Sequence, residues 1–111
     1  MPINLSEVTA IIRQVDKLYQ LSQLADPSKR WEALQEALKT NPRLNKLIET
    51  NLKKKPSEVF DSLLTEYNID SNALDLAHSL GLLNKNQLRR KVETIIATIQ
   101  TLYKERKEAD A

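Results

Sequence analysis

An all-α fold, a compact bundle of five or six helices with long first and last members, is what this sequence predicts, and three observations predict it. From Asn84 to Glu108, Leu88, Val92, Ile95, Ile96, Ile99, Leu102 and Tyr103 recur at spacings of three and four, which draws one apolar stripe along a helix. From Leu5 to Ala25 the same period returns in Leu5, Val8, Ile11, Ile12, Val15, Leu18, Tyr19, Leu21 and Leu24. The 111 residues include one glycine and, as aromatics, one Trp, three Tyr and one Phe, too few for the turns and β-rich runs of a sandwich or a parallel nucleotide-binding sheet. A chain of this length makes a single domain, 1–111, around one core.

Each helix has its own start signal. In the first, Asn4 and Glu7 form a capping-box pair, with Ile3 and Val8 as a hydrophobic staple. Asp26-Pro27 reads as N-cap and first helical position of a helix to about Lys39, with Trp31, Leu34 and Leu38 inward. Asn41-Pro42 repeats that signal for a short helix carrying Leu44, Leu47, Ile48 and Leu52. It is expected to end at Lys53-Lys54-Lys55, where cations suit the negative end of the helix dipole. Pro56-Ser57-Glu58 opens the next, with Val59, Phe60, Leu63, Leu64 and Tyr67 facing in. After a break at Asn68-Ile69-Asp70, a helix capped by Asp70 or Ser71 runs through Leu80, burying Leu74, Ala77 and Leu80 before Gly81 stops it. Asn84 with Gln87, and Leu83 with Leu88, repeat the capping box and staple for the last helix. Beyond Tyr103, residues 104–111 read as a charged, frayed tail.

Charge is unevenly spread although the net value is only +2. Residues 1–55 carry ten Lys/Arg against six Asp/Glu, residues 56–84 carry five acids and no Lys or Arg, and residues 85–111 carry seven against four. An acidic middle between basic flanks means either that neighbouring helices complement one another or that the surface is bipolar. No cysteine is present, which removes disulfides and thiolate metal sites and fits a reducing interior at least as well as secretion. The opening residues lack a basic leader with an apolar core, and no apolar run approaches a membrane span, so a cytoplasmic protein with no membrane contact is expected.

Catalysis has little to stand on. His78 is the lone histidine and no nucleophile motif accompanies it, so an interhelical polar contact is expected for it. The pairs Glu58/Asp61 and Glu32/Glu36 lie one turn apart but lack the Glu-x-x-His pattern of di-metal bundles. One glycine cannot build a phosphate loop. No reaction, cofactor, metal or small-molecule substrate is expected.

Two classes of binding remain. The segment 73–95, ALDLAHSLGLLNKNQLRRKVETI, resembles a helix-turn-helix, with Ala77 and Gly81 four apart as the small residue of a first helix and the turn glycine stand. The resemblance implies a small DNA-binding regulator whose second helix presents Lys85, Asn86, Gln87, Arg89, Arg90 and Lys91, joined by Lys53, Lys54 and Lys55 if the two basic clusters merge. The pattern departs in two places: the aliphatic due six residues after the glycine falls on Gln87, and the first helix carries Asp75 and no cation.

The other class is a non-catalytic protein-interaction module, an adaptor, assembly factor or inhibitor, acting through the last helix. That helix should run roughly 37 Å, beyond the ~26 Å implied by twice the gyration radius of a spherical domain this size. Its C-terminal end should then overhang the first helix. Ile99, Leu102 and Tyr103 become a seam for a protein partner or a second copy.

Overall fold

A computed structural model describes residues 5–109, with side chains from Thr9 to Arg106. Six helices follow in order: α1 (Leu5–Ser22), α2 (Pro27–Lys39), α3 (Pro42–Glu49), α4 (Pro56–Glu66), α5 (Ser71–Ser79) and α6 (Lys85–Ala109). No strand occurs among the described residues. α6 is the spine, and every other helix packs against it. α1 and α4 contribute the largest shares, so the two long helices do form the body of the bundle.

The core is one apolar cluster built on Leu18, Leu34, Leu38, Ile48, Leu52, Val59, Phe60, Ile95, Ile96, Ile99 and Leu102. Five of the helices feed it directly or through the turns between them. Nothing from Tyr67 to Lys91 belongs to it: the sequence of packed residues jumps from Leu64 to Val92. α5 buries only Ala77, and that outside the main cluster.

Most helix boundaries fall where the sequence signals put them, but the devices differ. The Asp26 carboxylate accepts from the Ser28 and Lys29 N–H groups at 2.9 and 3.3 Å, as an N-cap before proline should. Asn41 makes no such bond at α3. Its amide instead donates to the Ala37 carbonyl at 3.0 Å, beside the Thr40 hydroxyl on the same oxygen at 2.8 Å, so it closes the helix behind it. Thr50-Asn51 repeats the device at the end of α3, donating to Lys46 O and Leu47 O. α3 therefore ends at Glu49, with Thr50 and Asn51 rather than the three lysines satisfying its carbonyls. α1 also ends early, at Ser22 rather than Ala25. The Arg30 guanidinium donates to the Leu24 carbonyl at 2.8 Å, offering the chain a partner outside the helix. The capping box and staple expected at Ile3, Asn4, Glu7 and Val8 rest on side chains that lie outside the described ones.

Two helix ends share the left-handed closure. Gly81 has φ +74°, with Leu82 N–H donating to Ala77 O and Gly81 N–H to His78 O. Asn68 has φ +54°, with the matching pair to Leu64 O and Thr65 O. Asparagine tolerates this conformation better than other side-chain-bearing residues. Four residues expected inside are instead solvent-facing: Ile11, Leu24, Tyr67 and Leu80. Tyr67 sits past the end of α4, where the Arg43 guanidinium covers its ring at 4.7 Å. Leu80 is the residue that closes the C-terminal end of α5, beyond its last turn.

Candidate interaction surfaces

The proposed seam on α6 is closed. Ile99 is 0% and Leu102 5% exposed, both inside the main cluster. Tyr103 packs edge-on against Trp31 of α2, centroids 5.2 Å apart, and donates its hydroxyl to the Asn45 side chain of α3. The expected overhang assumed a spherical domain lidded by α1 alone. The molecule is elongated, 48 × 24 × 22 Å, and α2 and α3 supply the lid at this end. Burial raises the Tyr103 phenol above its ordinary pKa, and the Glu49 carboxylate adds to the rise. Past Tyr103 the backbone is helical to Ala109, and Arg106 lies over the Trp31 ring at 5.8 Å.

The acidic middle is answered by its basic neighbours. Arg43 meets Glu66 at 3.3 Å, Lys85 meets Asp75 at 2.6 Å, and Arg89 meets Asp61 at 3.5 Å. Arg89 also holds Glu93 at 3.1 Å and lies over the Phe60 ring, while Lys91 meets Asp16 at 2.9 Å. Lys85, Arg89 and Lys91, three of the cations assigned to a DNA-reading helix, thus tie α6 to α5, α4 and α1. His78 is an interhelical contact: its Nδ1 accepts from the Lys85 backbone N–H at 3.1 Å, while the Asn84 side chain caps Gln87 N–H at 3.0 Å. Asn86, Gln87 and Arg90 remain exposed.

Arg90 and Lys55, the last residue of the lysine cluster, do come together. Lys55, Pro56 and Ser57 form one wall of a shallow open groove, and Arg90, Glu93, Thr94 and Ala97 of α6 form the other. The corner is fixed from below by Gln100, a buried residue whose amide donates to Asn51 O and Lys54 O at 3.0 Å each. Lys53, Lys54, Lys55 and Arg90 form no ion pair among the described residues, and Arg90 reaches only the Asn86 carbonyl.

Three exposed leucines fall on α5 and the turn that follows it, where spacing alone did not place them. Leu76, Leu80 and Leu82 are 51%, 62% and 38% exposed. A signal was present: within the nine-residue helix Leu74 and Leu76 point to opposite sides, so one face cannot bury both, and three more leucines follow at 80, 82 and 83. Among the described residues no group of His, Asp and Glu could hold a metal ion, and no helix is long and apolar enough to cross a membrane.

The fold and its surfaces define an all-α, six-helix bundle. Compared with protein-family models, curated proteins and solved structures, the chain shows no match.

Proposed function

We propose that this chain is a non-catalytic helical interaction module that presents Leu76 of α5, with Leu80 and Leu82 just past its end, to the apolar face of a partner protein's helix. The observation that carries this is the separation of these leucines from the core: they are exposed while the residues that hold the bundle together lie elsewhere. Leu76 and Leu80 stand one turn apart, the spacing by which a helix seats anchors against another helix. Three half-exposed leucines fall well short of the ~800 Å² per partner that a standard stable interface buries. A short amphipathic helix of another protein therefore fits better than a second copy.

The test compares wild type with Leu76→Gln/Leu80→Gln. Each tagged protein is purified from its native cell after nuclease treatment, and each is sedimented alone at several concentrations. The substitutions should leave helicity intact and change stability by no more than about 0.5 kcal/mol per site, as exposed positions do. A protein partner held by wild type should be lost by the variant. Identical partners for both would remove the proposal, and a dimer of wild type that the variant abolishes would make a second copy the occupant.

A further inference from the structure

We propose that the groove between the 53–57 corner and the Arg90–Ala97 face of α6 binds the phosphate backbone of a nucleic-acid duplex, without reading its sequence. The first ground is how the cations are used. Within the second basic cluster, Arg89 and Lys91 are held by carboxylates, as is Lys85, and Arg90 alone of the cations from 85 to 91 is left without one. All three lysines of the first cluster are likewise unpaired. Lys55 and Arg90 face each other across one groove, and Lys53 and Lys54 precede Lys55 on the same exposed corner. The single carboxylate lining it, Glu93, is already engaged by Arg89 at 3.1 Å.

The second ground is the shape and chemistry between the walls. Ser57, Thr94 and Ala97 are short, so a backbone can approach closely, and the lining Ser57 and Thr94 carry hydroxyls, a donor type used on phosphate oxygens. The groove is shallow and open, which suits a polymer passing through rather than a small anion held on all sides. No aromatic residue lines it, so it lacks the stacking platform on which single-stranded bases are held. The third ground is rigidity. Gln100 fixes the Asn51 and Lys54 carbonyls to α6, so the lysines are presented from a corner tied to the core rather than from a loose loop. This inference is independent of the exposed leucines at 76, 80 and 82, which lie elsewhere on the chain.

The probe is a labelled 20-base-pair DNA duplex of mixed sequence, titrated by fluorescence anisotropy from low to physiological salt. The companions are a second duplex sequence, the single strand and poly-glutamate. Three or four phosphate contacts predict a slope of log affinity on log salt of roughly −3 to −4, equal for both duplexes. Lys55→Gln/Arg90→Gln should flatten that slope by about 2, Arg90→Lys should preserve it, and Lys29→Gln/Lys46→Gln should leave it unchanged. The proposal is overturned by no duplex binding at low salt, or by equal slopes for the groove variant and the Lys29/Lys46 control. Poly-glutamate bound as tightly as duplex would make the groove a site for acidic protein, and tighter binding of the single strand would equally exclude the duplex. Both groove side chains are at the surface, and circular dichroism of each variant confirms that the fold is retained before its slope is read.

Discussion

Tyr103 joins three helices through two kinds of contact: its ring meets Trp31 of α2, and its hydroxyl meets Asn45 of α3. Its pKa is raised, foremost by burial. The folded protein therefore holds the phenolic proton more tightly than the unfolded chain does. The sign follows: this contribution to stability is fully present below the ordinary tyrosine value near 10 and is lost as pH rises through the higher folded-state value. Urea melts of wild type and Tyr103→Phe between pH 8 and 11 should differ in slope, with wild type losing stability faster at the alkaline end. Parallel curves would show that the phenol ionises as freely folded as unfolded. The period of α6 identified Tyr103 as apolar and near the stripe's end. It could not reveal the lid, because Trp31 and Asn45 reach the site only through the path of the α2–α3 hairpin.

At the scale of elements, starts were legible and ends were less so. Aspartate or asparagine before proline marks a helix start whichever hydrogen bond is made, because proline at the first turn fixes the backbone regardless. That is why Asn41-Pro42 locates α3 although Asn41 caps α2 instead. Helix ends closed by Thr-Asn pairs, or by Arg30 reaching six residues back, leave no comparably local mark. α5 is the element whose packing differs most from expectation. It is secured by its caps, the His78 contact and the Lys85–Asp75 pair, all near the surface, and exposed ion pairs contribute at most about 1 kcal/mol. Local opening of α5 should therefore cost much less than global unfolding. Native-state hydrogen exchange should show the amides from Leu74 to Leu80 exchanging at least tenfold faster than those from Ile96 to Leu102. Equal protection would mean that α5 unfolds only with the whole bundle.

For the whole molecule, the spine role of α6 decides what substitutions near its C-terminal end do. Leu102→Glu with Tyr103→Glu places one carboxylate in the core and a second at the partly buried Tyr103 site, and removes the Trp31 and Asn45 contacts. The expected loss exceeds about 4 kcal/mol, a large part of the 5–15 kcal/mol that holds a domain of this class. Circular dichroism at 25 °C should show a substantially unfolded variant, and retention of full helicity would mean that this end is open in solution. Architecture was the most legible scale, since two long amphipathic periods and a shortage of glycine leave few alternatives to a helical bundle. The merging of Lys55 with Arg90 was not legible, because it depends on where a corner between α3 and α4 meets α6 in three dimensions.

The jump in the core from Leu64 to Val92 also has a consequence over generations. Substitutions along the bundle's spine are constrained together, since each alters a cavity shared by several helices. Residues on the outer side of α5 share no such cavity, so their identities can drift one at a time while the remaining helices keep folding. A lineage can thus exchange the leucines of this appendage, lengthen its loops or recharge its face with little loss of bundle stability. Among descendants of this chain folding should preserve the spine, whereas leucines at 76, 80 and 82 should persist only where a partner keeps them.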